Sequence, residues 1–176
     1  SEAKKVAKEV GYPVLIKATN GGGGRGIKKV YEESELSENL SLARKEATQS
    51  FGNDEVYIEK FIEDPRHIEV QIIGDKFGNI IHVGERECSI QRRSQKVIEE
   101  CPSPGISKDE RERICKITVN AFKKIGYQNL GTVEYLYSKG NFYFIEMNTR
   151  LQVEHTVTEE VYNIDIVKEQ IFIASG

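Results

Sequence analysis

No apolar run in this chain approaches the roughly 20 residues that a membrane-spanning helix needs, and no signal peptide is recognisable. A helical membrane protein is thereby excluded, and a cytoplasmic protein is expected. Cysteine is scarce: Cys88, Cys101 and Cys115 are odd in number and lack metal-ligand spacing. That excludes a disulfide framework or a zinc module and implies reduced thiols in a cytosolic-type compartment. Excess positive charge is missing too, the net charge being −3. A nucleic-acid surface is not expected, because the basic cluster Arg92, Arg93 and Lys96 also lacks aromatics for stacking bases. That cluster reads better as an anion site for a small substrate. No G-K-[ST] occurs, so there is no P-loop. No internal repeat is present.

What remains is ordinary globular composition, 38% hydrophobic and 30% charged in 176 residues. That length supports one domain with a real core, or two small lobes. The chain opens inside a helical pattern and stops at Gly176 just after another, so it is expected to be a segment of a longer protein.

Ala3, Val6, Ala7 and Val10 mark an amphipathic helix that Gly11 and Pro13 end. Val14-Leu-Ile16 is a short buried strand with Lys17 at its end. The loop Asn20 to Gly26 follows, with five glycines. Successive glycines let backbone N–H groups approach a phosphate closely. Gly21, Gly23 and Gly26 match G-x-G-x-x-G, yet strand-like Ile27 to Tyr31 follows where a dinucleotide site needs a helix. A glycine hairpin over phosphates, mobile without nucleotide and flanked by Lys17 and Arg25, is the expectation.

Ser34 is expected to cap a helix bearing Leu36, Leu40, Ala43 and Ala47. Val56 to Ile62 is read as a strand whose end could meet a planar base. From Arg66 the pattern alternates: Ile68, Val70 and Ile72 on one face, and His67, Glu69 and Gln71 on the other. That polar face either is solvated or lines a cleft. Asp75 to Asn79 is a hairpin turn, with Ile80 to Val83 returning and His82 read as a core histidine. Ser107 and Glu110 form a capping box for a helix whose core face is read as Ile114, Ile117, Ala121, Phe122 and Ile125. Ile164 to Ile173 is read as one closing helix.

Most informative is Glu146-Met-Asn-Thr-Arg-Leu-Gln-Val-Glu-His155, which follows the apolar strand Phe142 to Ile145. Glu146 and Asn148, two apart on a strand, share a face, and Arg150 joins them if the strand continues. A carboxylate and an amide oxygen suit a hard cation such as Mg²⁺. Arg150 and Glu154 suit an anionic substrate and its proton transfer. The turn after Ser138 makes Gly131 to Tyr137 and Asn141 to Asn148 a hairpin, with Glu134 within about a residue of Glu146. Carboxylates that close repel unless a cation neutralises them.

Over essentially its whole length the chain resembles the ATP-grasp core of biotin carboxylase. Ile16-Lys-Ala18 with Gly21 to Gly26, Pro65-Arg-His-Ile-Glu69, Gln91-Arg-Arg93 with Gln95-Lys96, and Glu146 to His155 carry the likeness. Carbamoyl-phosphate synthetase shares the Glu-Met-Asn opening but not Arg-Leu-Gln-Val-Glu-His. The resemblance implies an α+β fold. Residues 1–62 would be a lid lobe with a glycine hairpin, and 63–176 an antiparallel-sheet catalytic lobe, incomplete at its end. It implies Lys17, Gly22, Gly23, Gly24 and His67 at the ATP phosphates, Glu59, Lys60 and Ile62 at adenine, and Gln91 near the nucleotide. Glu134, Glu146 and Asn148 would hold Mg²⁺ or Mn²⁺. Lys96, Arg150, Gln152 and Val153 would hold bicarbonate, and Glu154 would deprotonate it. Arg150 would also steady the biotin enolate. The implied partners are a biotin carboxyl carrier domain and flanking domains of the same enzyme, which can be oligomeric, with neither nucleic acid nor membrane involved. By itself the segment would be inactive. Ser94 stands where many members have His. Another ATP-grasp ligase, such as carbamoyl-phosphate synthetase, and a catalytically silent nucleotide-binding module are the competing readings.

Overall fold

A computed structural model describes residues 2–20 and 27–176. The expected glycine hairpin and its mobility, with Gly22, Gly23, Gly24 and Arg25, fall on residues 21–26, outside the described residues. The fold is α+β, in two compact units: Ser1–Glu63 with Arg93–Gln95, and Asp64–Arg92 with Lys96–Gly176.

In the first unit, α1 (Glu2–Val10) precedes β1 (Val14–Ala18), β2 (Ile27–Val30), α2 (Glu33–Phe51) and β3 (Val56–Lys60). Strand β1 is central in an antiparallel sheet of order β2-β1-β3. Its alternation buries Val14, Ile16 and Ala18. Val14 and Ile16 form one apolar core with Ala7, Val30, Leu36 and Ala43, each large aliphatic contributing about 1.5–3 kcal/mol of transfer free energy. Gly11, at φ 78°, closes α1 by donating its N–H to the Ala7 carbonyl.

Ser34 is not the cap of α2. Glu32 holds the cap position without a side-chain bond, and Ser34 instead donates to its carboxylate. The Tyr31 N–H donates to Glu35, so an acidic side chain reaching back replaces the hydroxyl. The strand read to Ile62 stops at Lys60.

The second unit holds a five-stranded antiparallel sheet of order β6-β5-β4-β7-β8. Its strands are β4 (Arg66–Gly74), β5 (Ile80–Arg92), β6 (Gln95–Glu100), β7 (Asn129–Ser138) and β8 (Asn141–Asn148). Strand β5 runs nine residues beyond the Val83 end read from the sequence, because Glu85, Arg86 and Glu87 find partners in the interior. Its polar composition hid that. Arg93 and Ser94, both at positive φ, make the two-residue turn into β6. His82 is exposed, its Nδ1 accepting from the Gly84 N–H, so it is no core histidine.

On one face of the sheet lies α3 (Lys108–Ile125), opened by the Ser107–Glu110 capping box. Ile114, Cys115 and Phe122 pack on Val70, Ile72 and Val133. The expected core stripe is out of phase: Ile117 and Ile125 are 52% and 70% exposed, and Ala121 is exposed, while Cys115 and Thr118 are buried. On the other face Ile73, Val83 and Leu130 pack against Ile166. The closing helix read over Ile164 to Ile173 is α5 (Ile166–Ser175); a helix not read from the sequence, α4 (His155–Tyr162), precedes it and ends where Asn163 adopts the left-handed conformation. Val167 and Ile171 are exposed on α5. Among the described residues no helix is long and apolar enough to cross a membrane.

Candidate functional site

Strand register gathers the polar groups of the second unit. On β4, His67, Glu69 and Gln71 stand opposite Leu136, Glu134 and Thr132 of β7. Glu69 also faces Arg86 of β5, and Glu134 faces Glu146 of β8. The polar side of β4 is not solvated: Glu69 and Gln71 are buried.

Lys96 enters this layer from β6. Its Nζ donates to Glu69 Oε2 at 2.5 Å, Glu134 Oε1 at 2.9 Å and Glu154 Oε1 at 2.6 Å. Its three donors meet three carboxylates, which is the full capacity of an ammonium. Burial alone would lower the Lys96 pKa, but the Glu69, Glu154 and Glu134 carboxylates outweigh it and raise it. Burial pushes Glu134 upward, whereas the contacts with His67 and Lys96 prevail and leave it at about 2. Glu154 follows the same pattern: burial raises its carboxyl, and Lys96 and Arg86 bring it below its usual value. Glu134 and Glu154 are therefore held ionised at neutral pH.

The second cation beside Glu154 is Arg86, not Arg150. Arg150 is exposed, and its guanidinium reaches Asn148 Oδ1 at 3.2 Å and the Leu151 carbonyl. Strand β8 ends at Asn148, so Arg150 does not join the strand's face. Glu154 sits at the N-terminal cap position of α4 without capping it, since its carboxylate is turned to Lys96.

Glu134 Oε1 also accepts from Asn148 Nδ2 at 2.8 Å and Gln152 Nε2 at 2.9 Å. Gln152 Oε1 is buried with no hydrogen-bond partner among the described residues, an acceptor left over two residues from Glu154. Val153 is 88% exposed and can offer only its backbone. His67 Nε2 lies 2.9 Å from Glu134 Oε2 but forms no hydrogen bond there, and its Nδ1 faces the Gln91 amide at 3.2 Å.

The donor set fits a hard divalent cation. Glu134 and Glu146 are directly paired across β7 and β8, which puts their Cβ atoms about 5 Å apart. Asn148 adds an amide oxygen on the same face once its N–H₂ is turned from Glu134. All three are oxygen ligands of the kind Mg²⁺ takes. His67, Glu69 and Glu134 also place ligand atoms within 4.8 Å of one another.

Two features escaped the sequence reading. Cys88 Sγ lies within 4.8 Å of ligand oxygens of Glu69 and Glu154, and burial, then Glu69, pushes its thiol pKa up. Arg86 is wholly buried. Carrying β5 past Val83 in the register of the Asp75 to Asn79 hairpin would have set Glu85 opposite Glu69; a register shift between Val70 and Ile72 puts Arg86 there instead.

In the first unit Lys17 pairs with Glu59 across the β1–β3 register. The Lys60 ammonium donates to the Gly11 and Tyr12 carbonyls at 2.7 and 3.0 Å. That commitment leaves the Lys60 backbone as what it can offer a ligand. Ile62 is half-buried just beyond β3.

The sequence model described as the carbamoyl-phosphate synthase L chain, ATP binding domain, matches residues 1–176. The chain is 58% identical over 174 residues to the biotin carboxylase of Pseudomonas aeruginosa, covering 99% of this chain and 39% of that protein. A Campylobacter jejuni biotin carboxylase, solved as a β,γ-ATP complex, superposes with a TM-score of 0.92 at 54% identity. It covers 99% of this chain and 39% of its own. The biotin carboxylase domain of Hydrogenobacter thermophilus 2-oxoglutarate carboxylase, solved with MgADP, ADP and bicarbonate, gives 0.92 at 55% identity, with the same coverage. The chain thus spans about two fifths of the length of these relatives. With its antiparallel sheets and helices it has the ATP-grasp fold of biotin carboxylase domains, and it belongs to the family of carbamoyl-phosphate synthase L chain ATP binding domains.

Proposed function

We propose that the chain is the ATP-binding core of a biotin carboxylase, which couples ATP cleavage to carboxylation of biotin by bicarbonate. The observation that carries this reading is the single ammonium of Lys96, held within 2.9 Å of Glu69, Glu134 and Glu154. Around it lie an acceptor without a partner among the described residues, Gln152 Oε1, and the paired carboxylates Glu134 and Glu146.

Phosphoryl transfer needs positioning and neutralisation of charge more than covalent help from the protein. Residues 63–176 act as the catalytic lobe and residues 1–62 as the lid lobe. Lys17, Gly22, Gly23, Gly24 and His67 contact phosphates. Glu59, Lys60 and Ile62 border adenine, with Gln91 near the nucleotide. Glu134, Glu146 and Asn148 hold the divalent cation, which when bound draws charge from the phosphate oxygens. Lys96, Arg150, Gln152 and the Val153 backbone hold bicarbonate, and Lys96 moves from its carboxylates toward the anion. Glu154 takes the bicarbonate hydroxyl proton. The resulting dianion attacks the γ-phosphorus, the bond to ADP breaks, and carboxyphosphate forms. Carboxyphosphate then breaks its C–O bond into CO₂ and inorganic phosphate, that phosphate takes the N1 proton of biotin carried by a separate domain, and N1 bonds the CO₂ while Arg150 steadies the enolate oxygen. The flanking three fifths of the parent protein complete the site, in a compartment that keeps the three thiols reduced.

The test is ATP hydrolysis by the full-length protein with bicarbonate and free biotin, each omitted in turn. The reading expects turnover only with both. Hydrolysis indifferent to bicarbonate would overturn it and favour another ligase of the family.

A further inference from the structure

Among the described residues, the longest side chain that the fold buries completely is a guanidinium, Arg86, at 0% exposure. Nothing dissolved can reach it. Its Nε donates to Glu69 Oε1 at 2.5 Å. Its Nη1 donates to Gln71 Oε1 and Thr158 Oγ1, both at 2.9 Å, and Nη2 reaches Thr132 Oγ1 at 3.4 Å. One rigid fork thereby ties β4, β7 and α4 to β5.

We infer that Arg86 is a positioning residue for the Lys96–Glu154 pair, acting through Glu69 on one side and through Thr158 on the other. The inference rests on the proposed function. Each Glu69 oxygen has its own cation: Oε1 takes Arg86 Nε, and Oε2 takes Lys96 Nζ at 2.5 Å. With one oxygen fixed by a planar donor that cannot swivel within its buried site, the other is fixed as well, and so is the direction in which Lys96 is pulled. Thr158 lies four residues after Glu154, so it stands one turn along on the same side of α4. Arg86 therefore anchors the helix that carries the base and the carboxylate that orients the base's partner.

Charge balance makes the same point. Glu69, Glu134 and Glu154 surround one lysine. Arg86 is the buried second cation against Glu69. Without it, Glu69 holds a buried charge that Lys96 alone must compensate, and the ammonium is held back from Glu154 and from an incoming anion. Loss of Arg86 should therefore weaken the bicarbonate step and leave nucleotide binding intact.

The experiment compares the full-length wild type with Thr158→Val and with the double variant Glu69→Gln/Arg86→Met. The double change removes both members of the buried pair, so neither is left uncompensated. The expected result is nucleotide affinity within about twofold of wild type, as for a group that touches no nucleotide. Bicarbonate-dependent turnover should fall about fivefold in Thr158→Val, roughly one hydrogen bond's worth. It should fall about 10- to 100-fold in the double variant, the usual range for a supporting shell, with a raised KM for bicarbonate. Unchanged turnover and bicarbonate KM in both variants would overturn the inference. So would nucleotide affinity and turnover falling in parallel, which is what a general packing role produces. If the double variant does not fold, Thr158→Val decides by the same criteria. If the wild type lacks bicarbonate-dependent hydrolysis, it is the proposed function that fails. Crystal structures of the variants then decide about Arg86: a Lys96–Glu154 separation still at 2.6 Å contradicts the positioning role, and a widened one supports it.

Discussion

Glu134 and Glu146 stand directly opposite each other on β7 and β8, but in unlike surroundings: Glu134 is 6% exposed and Glu146 lies open to solvent. Glu134 is held by Lys96, Asn148 and Gln152, so its charge is balanced inside the protein. Glu146 is free to meet a cation that arrives with nucleotide.

Glu146→Gln in the full-length enzyme should therefore raise the Mg²⁺ concentration needed for half-maximal turnover and depress turnover strongly. Thermal stability should stay within about 0.5 kcal/mol of wild type, as for other exposed positions. Magnesium titrations of ATP hydrolysis with parallel melting curves check this. An unchanged magnesium requirement would remove Glu146 from the cation site.

Burial on α3 separates two isoleucines three residues apart. Ile114 is 2% exposed and packs on Val70 and Ile72, whereas Ile117 is 52% exposed. Ile114→Ala should cost about 2–5 kcal/mol, and Ile117→Ala about 0.5 kcal/mol or less. Urea unfolding of the two variants measures the difference. Equal losses would restore the stripe expected from the sequence.

That contrast shows what was legible and what was not. The β7–β8 pairing could be read because a Ser-Lys-Gly turn pins the register of two alternating strands. The Ser107–Glu110 box could be read because its chemistry is local. The core face of α3 could not be read from isoleucine spacing: burial follows the sheet's shape, and Cys115 and Thr118 fit where Ile117 does not. Helix α4 was hidden in Thr-Val-Thr-Glu-Glu-Val, whose β-branched residues carry weak helical preference. The family's motifs pointed to Lys96 and Glu154. They did not point to Arg86, because a guanidinium between two glutamates reads as solvated until both sheet faces are seen to be covered.

Acid should expose the capping box. The Tyr137 hydroxyl, at 2.5 Å, and the Ser107 backbone and side chain hold Glu110 down to about 2. A glutamate whose folded pKa is depressed adds stability that is full above its unfolded value, about 4.3, and is lost as pH falls toward 2. The stability difference between wild type and Glu110→Gln should therefore be constant above about pH 5 and shrink steadily below pH 4. Chemical unfolding of both proteins between pH 2 and 7 reads it. A difference independent of pH would show that the carboxylate charge contributes nothing to the cap.

The central claim is that Glu154 takes the bicarbonate proton, and one substitution tests it. Lys96 at 2.6 Å and Arg86 lower its pKa and keep it ionised, ready to accept a proton. The same cationic surroundings acidify a bound bicarbonate, so transfer within the pair stays feasible. Nucleotide affinity and bicarbonate-dependent ATP hydrolysis should be measured side by side for full-length Glu154→Gln. The account predicts affinity near wild type and hydrolysis lower by a factor of about 10² to 10⁴, the range of a general base. Hydrolysis at the wild-type rate, or affinity and hydrolysis lost together, would contradict it.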